Sequence, residues 1–175
     1  GYRGNISFEN VHFSYNPDEP ILKDISFKIG PGEKVALVGA TGAGKTSTVS
    51  LICRFYDIQR GSIRFDDTDI REIDPGELRE QIGLVLQDVF LFAGSIKDNI
   101  TLGNKEITDE KVIEAAERVG LLPFINRLDD RFDHAVGERG GNLSVGQRQL
   151  VSFARALAYD PRLLILDEAT SSVDN

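Results

Sequence analysis

The run Gly39-Ala40-Thr41-Gly42-Ala43-Gly44-Lys45-Thr46 fits the phosphate-cradling pattern G-x-x-x-x-G-K-[ST] and directly follows the apolar stretch Val35-Ala36-Leu37-Val38. Few patterns restrict a fold so tightly, because each part has a mechanical task. Glycines let the backbone bend until consecutive N–H groups point inward, a helix starting near Gly44 adds its positive end, and Lys45 adds a full charge. Thr46 is left to hold Mg²⁺ through its hydroxyl. Downstream, Val49, Leu51, Ile52, Phe55 and Tyr56 recur at mixed spacings, which suits a largely buried helix packed on a sheet. Strand, loop and helix thus stand in the order that a nucleotide binder of the α/β class requires.

A chain of 175 residues, 41% of them hydrophobic, can bury one substantial core, so one domain with subdomains is expected. No stretch approaches the ~18 apolar residues of a membrane span. No charged leader precedes a hydrophobic segment, and a single cysteine makes no internal disulfide, which together suggest a soluble protein of a reducing compartment. Cys53 lies in the apolar run after the loop, where a buried structural thiol is expected. A net charge of -8 argues against a nucleic-acid partner, which needs a basic face, but not against ATP, whose phosphates are captured locally. With no methionine, and with Asn175 following soon after the apolar run Leu163-Leu164-Ile165-Leu166, the chain reads as a piece of a longer protein.

Residues 5–30 alternate as strands do: Ile6 and Phe8, then Val11, Phe13 and Tyr15, then Ile25, Phe27 and Ile29, with a turn at Asn16-Pro17-Asp18. Residues 61–66 read as another short strand, giving a small antiparallel layer. Continuous buried strands are expected at 34–38, 82–86 and 163–166. Between the last two the chain is mostly helical. Thr108 can cap a helix with Asp109 and Glu110 in its first turn and Val112, Ile113, Ala115, Ala116 and Val119 on its apolar side, with Gly120 and Pro123 as its stop. A second helix follows Leu143-Ser144-Val145-Gly146-Gln147 and runs through Leu150, Val151, Ala154 and Leu157 toward Asp160-Pro161.

The apolar strand Leu163-Leu164-Ile165-Leu166 ends in Asp167-Glu168. Such a strand can deliver Asp167 to a Mg²⁺ shell and Glu168 to a water in line with a terminal phosphate; an ordinary strand with an acidic turn has the same pattern. Ser144-Val145-Gly146-Gln147 fits a capping box, in which Ser144 bonds the third amide and Gln147 returns to the N–H of the cap. Yet Gly at the second helical position costs about 1 kcal/mol against Ala. It leaves the amides of the helix start open to an anion.

The phosphate loop, Leu84-Val85-Leu86-Gln87-Asp88, the segment Leu143-Ser144-Val145-Gly146-Gln147-Arg148-Gln149, Asp167-Glu168 and Ser171-Ser172-Val173-Asp174 occur in the order seen in ATP-binding-cassette domains. From about residue 5 to 175 the chain resembles the nucleotide-binding domain of an ABC transporter. Residues 90–100 and Val136-Gly137-Glu138-Arg139-Gly140 resemble the exporter branch. The resemblance implies a P-loop NTPase core with a mixed, mainly parallel sheet, an antiparallel β subdomain and an α-helical signature subdomain. Residues 1–175 would form one ATP-binding domain: about 1–33 and 61–70 the antiparallel layer, 34–60, 80–87 and 155–175 the ATPase core, and 88–154 the helical part.

In that family two such domains sandwich two ATP molecules, each held by the phosphate loop of one and the signature of the other. By resemblance, Gly39 to Thr46 and Ser47 bind the phosphates and Thr46, Gln87 and Asp167 attend Mg²⁺. Ser144, Gly146 and Gln147 act on the nucleotide of the partner. Tyr15 matches the aromatic residue that stacks on adenine, a contact worth about 1–3 kcal/mol; a core tyrosine on the face of Val11 and Phe13 has the same spacing. Glu168 would be the general base or water-positioning residue, Gln87 would also sense transmembrane domains, and Asp174 would face the other subunit. Glu138 matches an exporter segment near the coupling helices.

Two departures qualify the match. Val145 stands where the signature has glycine, which keeps open a non-hydrolysing half-site of a heterodimeric transporter. The family's γ-phosphate histidine lies beyond the Asp-Glu pair, past Asn175, and neither His12 nor His134 replaces it. This stretch alone is therefore expected to bind Mg·ATP but hydrolyse it poorly. Its place would be the cytoplasmic face of a membrane, carried there by transmembrane domains.

Overall fold

The structure is a computed structural model that describes residues 1–40 and 42–167. Thr41, Glu168, Ser171, Ser172 and Asp174 lie outside the described residues. The chain divides into two units, Gly1–Ile82 and Gly83–Asn175.

The first unit contains β1 (Ile6–Ser14), β2 (Pro20–Ile29), α1 (Lys45–Ile52), β3 (Arg60–Phe65), β4 (Thr68–Asp69) and α2 (Pro75–Glu80). Its strands form one antiparallel sheet in the order β2-β1-β3-β4. Alternation explains the buried face, since Ile6 and Phe8 are sealed and Phe8 pairs with Phe27 on one side and Ile63 on the other. The period then slips, because the next buried residues are Val11 and Phe13. A bulge absorbs the extra residue: the register shifts between Phe8 and Val11, Asn10 takes φ 47°, and its Nδ2 donates to Asp24 Oδ1 at 2.8 Å.

The second unit contains β5 (Ile82–Val85, entered at the boundary), β6 (Gly94–Ser95), α3 (Ile96–Thr101), α4 (Asp109–Arg118), α5 (Leu122–Ile125), β7 (Ala135–Val136), α6 (Val145–Ala158) and β8 (Leu163–Leu166). Thr108 caps α4 by accepting from the Lys111 amide, with Asp109 and Glu110 in the first turn as expected. Ile96 and Ile100 of α3, Val112 and Ala116 of α4 and Val151 and Ala154 of α6 share one core, where alanines let the helices approach closely. Asn99 sits on the same face of α3, only 1% exposed. Its Nδ2 donates to Phe92 O at 2.9 Å and Ser95 O at 3.0 Å, and its Oδ1 accepts from Phe92 N at 2.8 Å and from Arg155 at 3.2 Å. Arg155 also donates to Asn99 O at 2.7 Å and Phe90 O at 3.1 Å, so one polar node ties α6 to α3 and the segment before it.

Several expectations are corrected. Residues 34–38 are not a strand: among the described residues nothing pairs with them, and Val35, Leu37 and Val38 are exposed. An apolar run becomes a strand only when neighbours complete its ladder. The paired core strands here are β5 and β8, with the Asp167 amide donating to Val85 O at 2.9 Å. β8 has the expected bounds but is not buried throughout, since Leu164 and Leu166 are exposed. Ile113 is also exposed, lying one position off the α4 stripe. Pro123 does not merely end α4; it occupies the first turn of α5, where its missing N–H costs nothing. α1 stops at Ile52, so Phe55 and Tyr56 lie beyond it, half-exposed. Among the described residues no helix is long and apolar enough to cross a membrane.

Two outcomes follow. Asn99→Ala strands the donors and acceptors around it and should destabilise the protein by about 2–4 kcal/mol in urea unfolding. Cys53 is 2% exposed, and burial pushes its thiol up to about 11, with Arg79 pulling partly back. An unfolded thiol titrates near ~8.5. The fold therefore binds this proton more tightly, and the contribution is complete below that value and is lost as pH rises toward 11. At pH 8 a thiol reagent should label Cys53 slowly in the native protein and promptly in urea.

Candidate functional site

The loop of the first unit is shaped by its last glycine. Gly44 has φ 86°, and a Cβ there would stand 2.5 Å from Leu22 Cδ2, so only glycine lets α1 start this close to β2. No side-chain hydrogen bond caps α1 among the described residues, and its first turn carries no acid. The longer helices α4 and α6 are both capped, by Thr108 and Ser144. The leading amides of α1 therefore keep their donor capacity beside the positive helix end. Lys45 Nζ donates to Gly39 O and, at 3.1 Å, to Ala40 O, while Ala43 N donates to Ala40 O at 3.0 Å. The ammonium thus rests on the loop's own carbonyls. Gly42 is exposed at φ 83°, and Thr46 is exposed just inside α1.

Tyr15 lies one residue past β1 and is 46% exposed, whereas Val11 and Phe13 are buried. It is not a core tyrosine. Its hydroxyl donates to Ser47 Oγ at 3.3 Å, bringing the aromatic candidate onto the first turn of α1. Its ring meets Phe13 edge-on at 4.9 Å and Tyr56 at 5.0 Å. Sequence reasoning passed over Tyr56 by placing it in a buried helix. The available signal was the aromatic pair Phe55-Tyr56 after the arginine that ends the apolar run.

In the second unit, Gln87 is exposed two residues past β5, and Asp167 follows β8 directly. The bond from Asp167 N to Val85 O sets the ends of both strands side by side, so Gln87 and Asp167 leave adjacent strand ends. The capping box of α6 is complete: Ser144 Oγ accepts from Gln147 N at 3.2 Å, and Gln147 Oε1 accepts from Ser144 N at 2.8 Å. Val145 is 60% exposed and a Cβ on Gly146 would meet nothing within 4 Å, so the helix start faces open space. Phe90 and Phe92 stack edge-on at 4.9 Å and are exposed, as is Glu138.

The candidate metal donors are hard oxygens: a hydroxyl at Thr46, an amide at Gln87 and a carboxylate at Asp167. No group of three or more His, Cys, Asp or Glu among the described residues can hold a metal. Sparse oxygen donors fit Mg²⁺, which takes one or two protein ligands with phosphates and water, rather than Zn²⁺. A cleft of about 410 Å³ lined by Lys97, Asp109, Asp129 and Phe132 contains none of these residues.

Comparison with known proteins points one way. A family model described as "ABC transporter" matches residues 22–171. A putative ABC transporter ATP-binding protein, exp8, of Streptococcus pneumoniae is 50% identical over 172 residues, which cover 98% of this chain and 29% of that protein. The beta-(1-->2)glucan export ATP-binding/permease protein NdvA of Rhodopseudomonas palustris is 50% identical over 171 residues, covering 98% and 28%. Among solved structures, a bacterial Atm1-family ABC exporter with ATP bound superposes with a TM-score of 0.92 at 40% identity, over 99% of this chain and 30% of that one. The chain spans under a third of the length of these relatives.

Because Gly146 faces open space near the helix start, Gly146→Ala should stabilise α6 by up to about 1 kcal/mol. A thermal unfolding midpoint that holds or rises checks this; a fall contradicts it.

Proposed function

Because the chain belongs to the ABC transporter family, we propose that it is an ATP-binding and ATP-hydrolysing motor domain that powers export across a membrane through ATP-driven dimerisation. The uncapped start of α1 behind Gly44 and Lys45 carries this proposal, since it offers donors and charge where an anion is wanted. Gly39, Ala40, Thr41, Gly42, Ala43, Gly44, Lys45, Thr46 and Ser47 take the phosphates, and Tyr15 takes adenine. On binding, Lys45 exchanges its loop carbonyls for phosphate oxygens, so the ammonium meets a charged acceptor in place of a neutral one. Thr46, Gln87 and Asp167 would hold Mg²⁺, which when bound would neutralise charge on the phosphates. Glu168 orients the attacking water and accepts its proton.

Ser144, Gly146 and Gln147 serve the nucleotide of a second such domain, a homo- or heterodimer partner. The names of the relatives, which include export and permease functions, support transmembrane domains as the further partner and the cytoplasmic face of a membrane as the location. The acidic charge supports no nucleic-acid role.

The test is ATP binding and turnover by this chain and by the transporter that carries it. Lys45→Ala should weaken ATP binding at least about tenfold with the unfolding midpoint unchanged, as loss of a charged hydrogen bond does. Glu168→Gln should retain binding and lose turnover, and Gly146→Ala should reduce turnover despite its stability. Unaltered ATP affinity in Lys45→Ala would sink the proposal, and binding without turnover in the wild-type transporter would favour the non-hydrolysing half-site that Val145 suggests.

A further inference from the structure

An exposed aromatic on a firmly bolted turn needs a reason, and Tyr56 is one. The turn after α1 is held by two arginines. Arg54 adopts φ 50° and its guanidinium donates to Ile70 O at 3.0 Å and Ile73 O at 2.8 Å. Arg79 donates to Cys53 O at 3.0 Å and Arg54 O at 2.9 Å, and lies over the Phe55 ring at 5.2 Å. Tyr56 nonetheless remains 50% exposed, so this anchoring serves little burial of its ring. What Tyr56 does touch is the ring of Tyr15, 5.0 Å between centroids and nearly perpendicular at 80°.

The same turn reaches Tyr15 a second way. Gln59 Oε1 accepts from Ser14 N at 3.0 Å, and Gln59 Nε2 donates to Ser14 O at 2.9 Å. A side-chain amide thus replaces a ladder partner for the residue immediately before Tyr15. Phe13 closes the third side of the ring, also edge-on at 82°. The hydroxyl of Tyr15 is tied to Ser47. Ring, backbone and hydroxyl are each fixed, yet Tyr15 stays 46% exposed, which leaves part of it open to a planar ligand.

We propose that Tyr56 and Gln59 are positioning residues for the adenine platform, Tyr56 bracing the ring of Tyr15 and Gln59 clamping its backbone. Affinity for the base therefore depends on side chains that do not touch the nucleotide. This rests on the assignment of Tyr15 to adenine. An edge-on aromatic pair carries an effect of roughly three- to tenfold in a binding constant.

The experiment compares Mg·ATP with Mg·tripolyphosphate, which has the phosphates and no base, by calorimetry on this chain. Tyr56→Leu and Gln59→Ala should weaken ATP roughly three- to tenfold while leaving tripolyphosphate within about twofold. Tyr56→Phe, which keeps the ring, should restore ATP binding. Loss of both ligands together in Tyr56→Leu, unchanged ATP affinity, or failure of Tyr56→Phe to rescue overturns the positioning role. Wild-type protein that binds neither ligand would overturn the nucleotide site itself, a result separate from the others. Wild-type protein that binds both alike would remove the base platform.

Discussion

A single steric condition governs the nucleotide end of this molecule: Gly44 sits at φ 86° with Leu22 Cδ2 2.5 Å from the place of a Cβ. Because no side chain fits there, the chain can turn from loop to helix against β2 without a capping residue. α1 then starts with open amides, Lys45 is delivered onto the loop carbonyls, and Ser47 is buried where Tyr15 can reach it. Any residue with a Cβ at position 44 would be strained at this φ and would have to displace the end of the Leu22 side chain.

How far the sequence showed this depended on the range over which each feature is decided. α6 and α4 were legible from their caps, because Ser144 with Gln147, and Thr108 with its acidic first turn, act within a few residues. β8 was legible from four apolar residues between Pro161 and Asp167. Residues 34–38 have the same composition as a core strand yet lack described neighbours, and no local pattern reports a missing neighbour. The bulge at Asn10 was equally hidden, since a slip in alternation is visible only once β2 and β3 fix the register.

The polar devices were the least legible. Arg155 meets Asn99 across 56 positions and Gln59 meets Ser14 across 45. Asn99 did leave a trace, being an amide three residues after Ile96 and one before Ile100, on the apolar face of a helix. A buried amide in that position demands partners, though not which ones. The site candidates fared differently: the glycines and Lys45 announce themselves by type, while Tyr56 resembles any aromatic of a buried helix until its exposure is known.

The two helix starts offered to phosphate differ in readiness, and that difference bears on the order of events. At α1 the leading amides await an acceptor and Lys45 has only carbonyls to relinquish. At α6 the Oγ of Ser144 accepts from the Gln147 amide and the Oε1 of Gln147 accepts from the Ser144 amide, so those two backbone donors are already taken, while the hydroxyl proton and the Gln147 Nε2 stay available to an acceptor. The amides of Val145 and Gly146, which have no intrahelical acceptor by helix geometry, are open as well. Under the proposed function, the full charge of Lys45 and the open amides of α1 favour the loop of one domain as the first place for a nucleotide. In the proposed motor, the signature of a second domain would then add its donors to a charge already held in place, so that dimerisation would follow ATP.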